Sequence, residues 1–147
     1  MKLSEHNLTV THYRNGDPIL HAQSDEDWMR AGEMGLGAYC ISPTGGHLYN
    51  WHAVNDPRGL APKGFHIPTD EEWRRVKDKK SLTVYDGYRA LDGEIHFRGA
   101  LANFWSSSES CSEYAFARAL NCGDSILYRP ISSKGLGFSV RCVEVEE

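Results

Sequence analysis

The clearest periodicity in the chain lies in its C-terminal third. Ala115, Ala117 and Ala119 alternate with Phe116, Arg118 and Leu120, the two-residue period of a β-strand. The β pattern begins at Phe104. Asn121-Cys122-Gly123-Asp124 predicts a turn into a further strand over residues 125–129. Residues 137–143 predict a closing strand, with Phe138, Val140 and Cys142 on one face and Ser139 and Arg141 on the other. Near the start, residues 8–13 alternate and predict another strand, which Asn15-Gly16-Asp17-Pro18 turns.

Two helices are predicted. Ser24 is a good N-cap, and Asp25, Glu26 and Asp27 suit the positive first turn. Trp28 and Ala31 give this helix an inner face, and Gly32 or Gly35 ends it. Thr69-Asp70-Glu71-Glu72 forms a capping box, and Trp73 and Val76 follow as inward positions. Fourteen glycines and six prolines break the rest into short elements and loops, with no internal repeat. Two helices and several short strands without a βαβ rhythm make the fold class α+β.

Length and composition change this picture little. The 147 residues are 40% apolar and 24% charged, enough for one core in a single domain over residues 1–147. A net charge of −4 argues against nucleic acid as a partner. No apolar run reaches the roughly 20 residues of a membrane span. The first residues lack the apolar core of a secretory signal, so the expected location is the cytosol, a phage particle, or a trimmed secreted or surface chain. Cys40, Cys111, Cys122 and Cys142 lack the spacing of a zinc ribbon or a thioredoxin motif. They are expected to be four reduced, mostly buried thiols, with a Cys111–Cys122 disulfide as the alternative.

Three stretches resemble a known family: Gly46-His47-Leu48-Tyr49-Asn50-Trp51-His52-Ala53-Val54-Asn55-Asp56, then Ala61-Pro62-Lys63-Gly64-Phe65-His66-Ile67-Pro68-Thr69-Asp70-Glu71-Glu72-Trp73, then Phe104-Trp105-Ser106-Ser107-Ser108-Glu109 together with residues 137–143. With Arg14-Asn15-Gly16-Asp17-Pro18-Ile19 before them, they resemble the Fibrobacter succinogenes major paralogous domain family. The resemblance implies a C-type-lectin-like fold of the formylglycine-generating-enzyme variety. That fold has two helices, a small antiparallel sheet, long loops and neighbouring termini. It also implies a bacterial or phage source. The segment between Trp73 and Gly87 is shorter than in many members.

Read from the residues, these motifs are mainly scaffold. Trp51, Trp73, Phe104 and Trp105 are large anchors, each able to bury roughly 150–250 Å². Arg141 is expected to ion-pair inward, with Glu109 as the candidate partner. Histidines 47, 52, 66 and 96 lack the metal-binding i, i+4 pattern. Asn55-Asp56, Glu109 and Asp124 are oxygen donors without a lectin's calcium signature. No metal or cofactor is expected. Ser106, Ser107 and Ser108 read as a backbone-capping turn rather than a nucleophile. No catalytic residue is assigned. Two late cysteines, Cys122 and Cys142, keep an oxidase of the formylglycine-generating type as an alternative, and a cell-surface adhesion or structural module is another.

Residues 111–133 differ in character. They hold one Glu and no Lys, Gln, Trp or Met, types that codons ending in a pyrimidine cannot encode. The segment resembles the variable region of proteins diversified by retroelements, bounded by a Trp-Ser-Ser lead-in and a Gly-Phe-Ser-Val-Arg exit. On that resemblance Ala115, Arg118, Leu120, Ser125 and Arg129 hold the scaffold. Ala117, Ala119, Asn121, Gly123, Asp124, Ile126 and Tyr128 are exchangeable and share one exposed face, and Tyr128 with Tyr114 or Phe116 anchors a ligand. Cys111, Ser112 and Cys122 complete the candidate binding surface. The partner is expected to be a protein or glycan. An ordinary hairpin without a binding role is the alternative.

Overall fold

The computed structural model describes residues 1–146. Its architecture is mixed α+β, with few helices and several small sheets that are mostly antiparallel. The first sheet orders β1 (Leu20–His21), β2 (Ala38–Ile41) and β3 (His47–Tyr49), with β1 parallel to β2. Helix α1 (Asp25–Met34) packs on it through Trp28 and Ala31, against Ala38, Cys40 and Leu48. As the sequence predicts, Ser24 caps α1 by accepting from the Asp27 amide. Gly35 ends it at φ 70°, a left-handed conformation that favours glycine.

The largest sheet is built on β7 (Leu101–Glu109) and β8 (Tyr114–Asn121), an antiparallel pair extended by β10 (Ile131–Ser133) and β9 (Leu127–Tyr128). A bulge between Trp105 and Glu109 shifts the register. Both faces of this pair are covered. Ala115, Ala117 and Trp105 enter one apolar cluster with Trp51, Phe138 and Val140, while Ala102, Phe104 and Leu120 enter another with Trp73 and Leu82. The two-residue alternation therefore sorts residues between two cores rather than between core and solvent.

Helix α3 (Asp70–Arg74) carries the predicted capping box, and Trp73 is its buried residue. A further helix, α2 (Trp51–Val54), was not legible in the pattern. It is one turn long, and Asn50 caps it by accepting from the Ala53 amide. A 3₁₀ turn covers Lys80–Leu82. Small antiparallel pairs join β5 (Tyr88–Arg89) to β6 (Ile95–His96) and β4 (Phe65–His66) to β11 (Val143–Glu144).

Two predicted strands are different in the structure. Residues 8–13 form no strand. They cross the core edge, with Leu8 and Val10 packed against it and a single bridge from His12 to Pro18. Of residues 137–143, all but the last form an extended thread rather than a regular strand, and Val143 opens β11. Gly137, Phe138 and Ser139 each bridge a different partner: Arg89, Tyr49 and Phe104. The thread runs through the interior, so Ser139 and Arg141 are as buried as Phe138 and Val140. The termini are neighbours: Leu3 bridges Val143, the Ser4 amide donates to the Cys142 carbonyl, and the N-terminal ammonium pairs with Glu146 at 2.9 Å.

Three indole N–H groups tie the tryptophans to strand backbones. Trp51 donates to the Ser106 carbonyl at 2.8 Å, Trp73 to the Trp105 carbonyl at 3.2 Å, and Trp105 to the Tyr49 carbonyl at 2.7 Å. Each ring thus fills space and fixes the β7 region in register at once.

Candidate functional site

Asp70, the first residue of α3, was legible only as a helix-start acid. In the structure it is a hub. One carboxylate oxygen accepts from Arg118 at 2.7 Å and from Arg129 Nε at 2.8 Å, and the other accepts from Arg129 Nη2 at 2.8 Å. The bonds from Arg129, reinforced by those from Arg118, outweigh burial and hold its pKa down to about 2. Arg129 also lies over the Phe116 ring, 4.2 Å from its centroid. Asp70 therefore fastens both β8 and the chain that returns after the β8–β9 turn. Arg118 and Arg129 hold scaffold, as expected. Ser125 does not; its side chain is exposed, and only its carbonyl is engaged, by Lys79 Nζ at 2.6 Å.

Between these fastenings, Asn121, Cys122, Gly123, Asp124, Ile126 and Tyr128 are exposed. The loop is ordered by its own short side chains. Asn121 Oδ1 accepts from the Gly123 amide at 2.8 Å and Asp124 Oδ1 from the Ile126 amide at 3.0 Å, while Tyr128 OH donates to Asp124 Oδ2 at 2.9 Å. Ala119 is half-buried and pairs across the sheet with Tyr128.

The remaining candidates fall elsewhere. Ala117 is fully buried opposite Trp105, so it is not an exchangeable surface position. Cys111, Ser112 and Tyr114 are exposed at the other end of β8, in and after the turn that precedes it. Phe116 is half-buried on the opposite face from Ala117 and Ala119, beneath Arg129. The wider candidate surface therefore falls into two groups at opposite ends of β8, roughly 25 Å of strand apart, while the positions expected to share one face, Ala117 apart, lie together at the β8–β9 end.

That separation bears on the thiols. All four cysteines are free; Cys40 and Cys142 are buried, but Cys111 and Cys122 are exposed, against the expectation of mostly buried thiols. The length of β8 keeps Cys111 and Cys122 well beyond the roughly 7 Å Cα limit of a disulfide. Burial pushes the Cys142 thiol up to about 11, so it stays protonated near neutrality.

Arg141 does not pair with Glu109. It donates to Asn7 Oδ1, the Ser4 carbonyl, Ser81 Oγ and the Ser81 carbonyl. Burial lowers its pKa to about 10. Glu109 instead meets Lys134 Nζ at 3.3 Å, and that ammonium lies over the Trp51 ring. Ser106, Ser107 and Ser108 lie in β7 rather than in a turn, beside its bulge, but two of their hydroxyls do bond backbone: Ser106 Oγ donates to the Phe116 carbonyl at 2.6 Å, and Ser108 Oγ accepts from the Asp70 amide at 2.9 Å.

The oxygen donors considered for calcium have separate partners. Asp56 binds Arg58, Glu109 binds Lys134, and Asp124 serves its own loop. His66 contacts both Glu72 oxygens at 2.9 Å. Among the described residues, Asp92, Glu94 and His96 bring ligand atoms within 4.8 Å of one another on the β5–β6 hairpin.

An open groove of about 590 Å³ lies beside the same sheet, between β7–β8, the β5–β6 hairpin and the 137–143 thread. Its lining includes Tyr88, Leu91, Asn103, Ala119, Leu136 and Phe138. These come from separate stretches of chain, so no local motif announced it.

Residues 4–86 match the Fibrobacter succinogenes major domain. No curated protein matches the chain, and no solved structure matches it. The match takes in three of the motif stretches read from the sequence and stops before the Trp105 and 137–143 motifs. It spans more than half of the 147 residues, so the chain belongs to the Fibrobacter succinogenes major domain family.

Proposed function

We propose that this chain is a non-enzymatic binding module with a C-type-lectin-like scaffold, and that residues 111–133 present its ligand surface. The ligand is a protein or glycan, bound without metal or cofactor. The surface is diversified by a retroelement at the half-buried Ala119 and at the exposed Asn121, Cys122, Gly123, Asp124, Ile126 and Tyr128. The observation that carries this reading is the contrast between the loop and its supports. Six of those residues are exposed, whereas Asp70 clamps Arg118 and Arg129 beside them and all four tryptophans are buried. Exchange on such a loop costs little, commonly within about 0.5 kcal/mol per surface site. Rigid exposed aromatics such as Tyr128 bind at low entropic cost. The protonated, buried Cys142 favours binding over thiol oxidation by Cys122 and Cys142.

Resequencing the locus in many descendants of one clone tests the reading. It expects substitutions concentrated at codons 119, 121–124, 126 and 128, with a neighbouring template repeat that mismatches only at adenines. Substitutions spread evenly over the gene, or a locus that never varies, overturn diversification.

A further inference from the structure

Asn103 sits on β7 directly opposite Ala119 of β8, and both line the groove. It is 6% exposed, and its Oδ1 has no hydrogen-bond partner among the described residues. Buried polar atoms are nearly always paired, so this one leaves a hydrogen bond unmade, and because Asn103 lines the groove a turn of its side chain presents the carboxamide to an external partner. A half-turn of the carboxamide exchanges its donor and acceptor ends, so it can meet either half of an amide.

The groove around it is apolar. Phe138 lies against Trp105, with ring centroids 4.2 Å apart, and Tyr88 meets Phe138 edge-on. Tyr88 also stacks with Phe97, which is 58% exposed and holds φ at 58°. A left-handed backbone is costly for a bulky residue, and here it accompanies an exposed aromatic ring stacked on Tyr88 of the groove. Leu91, half exposed, lies along the same groove. Among the described residues the one charged lining residue is Asp92, with Glu94 close by and no lysine or arginine in the wall. A volume of about 590 Å³ lies within the roughly 300–1,000 Å³ typical of ligand clefts.

We propose that this groove binds an extended peptide segment of the partner. An aromatic or large aliphatic side chain enters between Tyr88, Leu136 and Phe138, the adjoining backbone amide pairs with Asn103, and a neighbouring basic residue faces Asp92. This deepens the binding reading above, because Ala119, Pro130 and Ser132 of the displayed segment form part of the wall. It also makes the site partly constant: exchange at Ala119 reshapes one side, while Asn103, Tyr88 and Phe138 stay.

The test is titration of the full chain with N-acetyl-phenylalanyl-lysinamide, followed by amide chemical shifts. Saturable shifts are expected at Asn103, Ala119, Leu136 and Phe138. N-acetyl-phenylalanyl-glutamamide, and phenethylamine, which has ring and cation but no peptide amide, are each expected to bind at least several-fold more weakly. Asn103→Leu is expected to weaken binding about tenfold, the scale of one hydrogen bond to a buried group. It should leave the melting temperature unchanged or raised, because Oδ1 has no partner among the described residues to lose. Equal binding of phenethylamine, or an Asn103→Leu variant that folds and binds normally, overturns the peptide assignment. Shifts confined to residues 121–128 overturn the groove while leaving surface display intact. Groove binding by a chain whose locus never varies overturns diversification and leaves the groove standing.

Discussion

Asp70 grips Arg129 at two points, its carboxylate oxygens accepting from Nε and Nη2 at 2.8 Å each. A five-residue helix thereby secures the far side of an eight-residue strand and the loop beyond it. The same carboxylate neutralises Arg118, whose side chain is only 4% exposed. One acid therefore supports two cations that have no other carboxylate partner among the described residues.

Replacing that acid should be costly. Asp70→Ala leaves the Arg118 guanidinium buried without a counter-charge, and breaking such a pair is far worse than never having had it. The expected loss is about 2–4 kcal/mol in urea unfolding. Asp70→Asn should lose less, because the amide oxygen still accepts one bond. A loss under about 0.5 kcal/mol for Asp70→Ala, the scale of an ordinary surface change, would show that the cluster does not hold the loop.

The same group predicts how stability changes in acid. Its folded pKa of about 2 is below the unfolded value of roughly 3.9. The stabilisation is therefore complete above about pH 4 and fades as pH falls through the folded pKa. Its size is on the order of 1–2 kcal/mol after discounting for solvent contact. Unfolding free energies measured from pH 5 to pH 2 should fall less steeply in Asp70→Asn than in the parent chain. Identical slopes would contradict the assignment.

Thiol chemistry gives a simple count. Cys111 and Cys122 are exposed, whereas Cys40 and Cys142 are buried with their thiol pKa values raised, chiefly by burial. A thiol-reactive chromophore should label two groups rapidly in the native protein and four in denaturant. Rapid labelling of all four would mean that the thread carrying Cys142 is open.

The Arg141 site yields another expectation. Its guanidinium serves the N-terminal segment through Ser4 and Asn7 and the 3₁₀ turn through Ser81. Lysine keeps the charge but cannot reproduce the fork. Arg141→Lys should therefore cost about 2–3 kcal/mol and loosen the first residues. Amide exchange at Ser4 and Leu8, whose N–H groups donate to Cys142 and Val140, should speed up first.

Local chemistry was the legible part of this fold. Ser24, Gly35 and the Thr69–Glu72 box announce helix ends, because a cap's partner lies within a few residues. The Ala115–Leu120 alternation announces a strand for the same reason. Residues 137–143 were misread because alternation implies one wet face, and here both faces are dry. The partner of Arg141 was misread because carboxylates look like the natural match, yet backbone carbonyls and two short polar side chains satisfy it. Ala117 was misassigned because alanine fits both a replaceable surface and the tight space opposite Trp105. Asp70 and the Asn103 groove depend on residues tens of positions apart, and no local pattern encodes such meetings.

The most direct test is a stability comparison between two altered proteins. In one, Asn121, Cys122, Asp124, Ile126 and Tyr128 are all replaced by serine; in the other, Trp105 alone becomes alanine. A tryptophan-pinned scaffold predicts that the first loses no more than about 2 kcal/mol and still unfolds in one transition. The second should lose about 3–5 kcal/mol. If the serine protein unfolds while Trp105→Ala stays native, stability resides in the loop and the scaffold account is wrong.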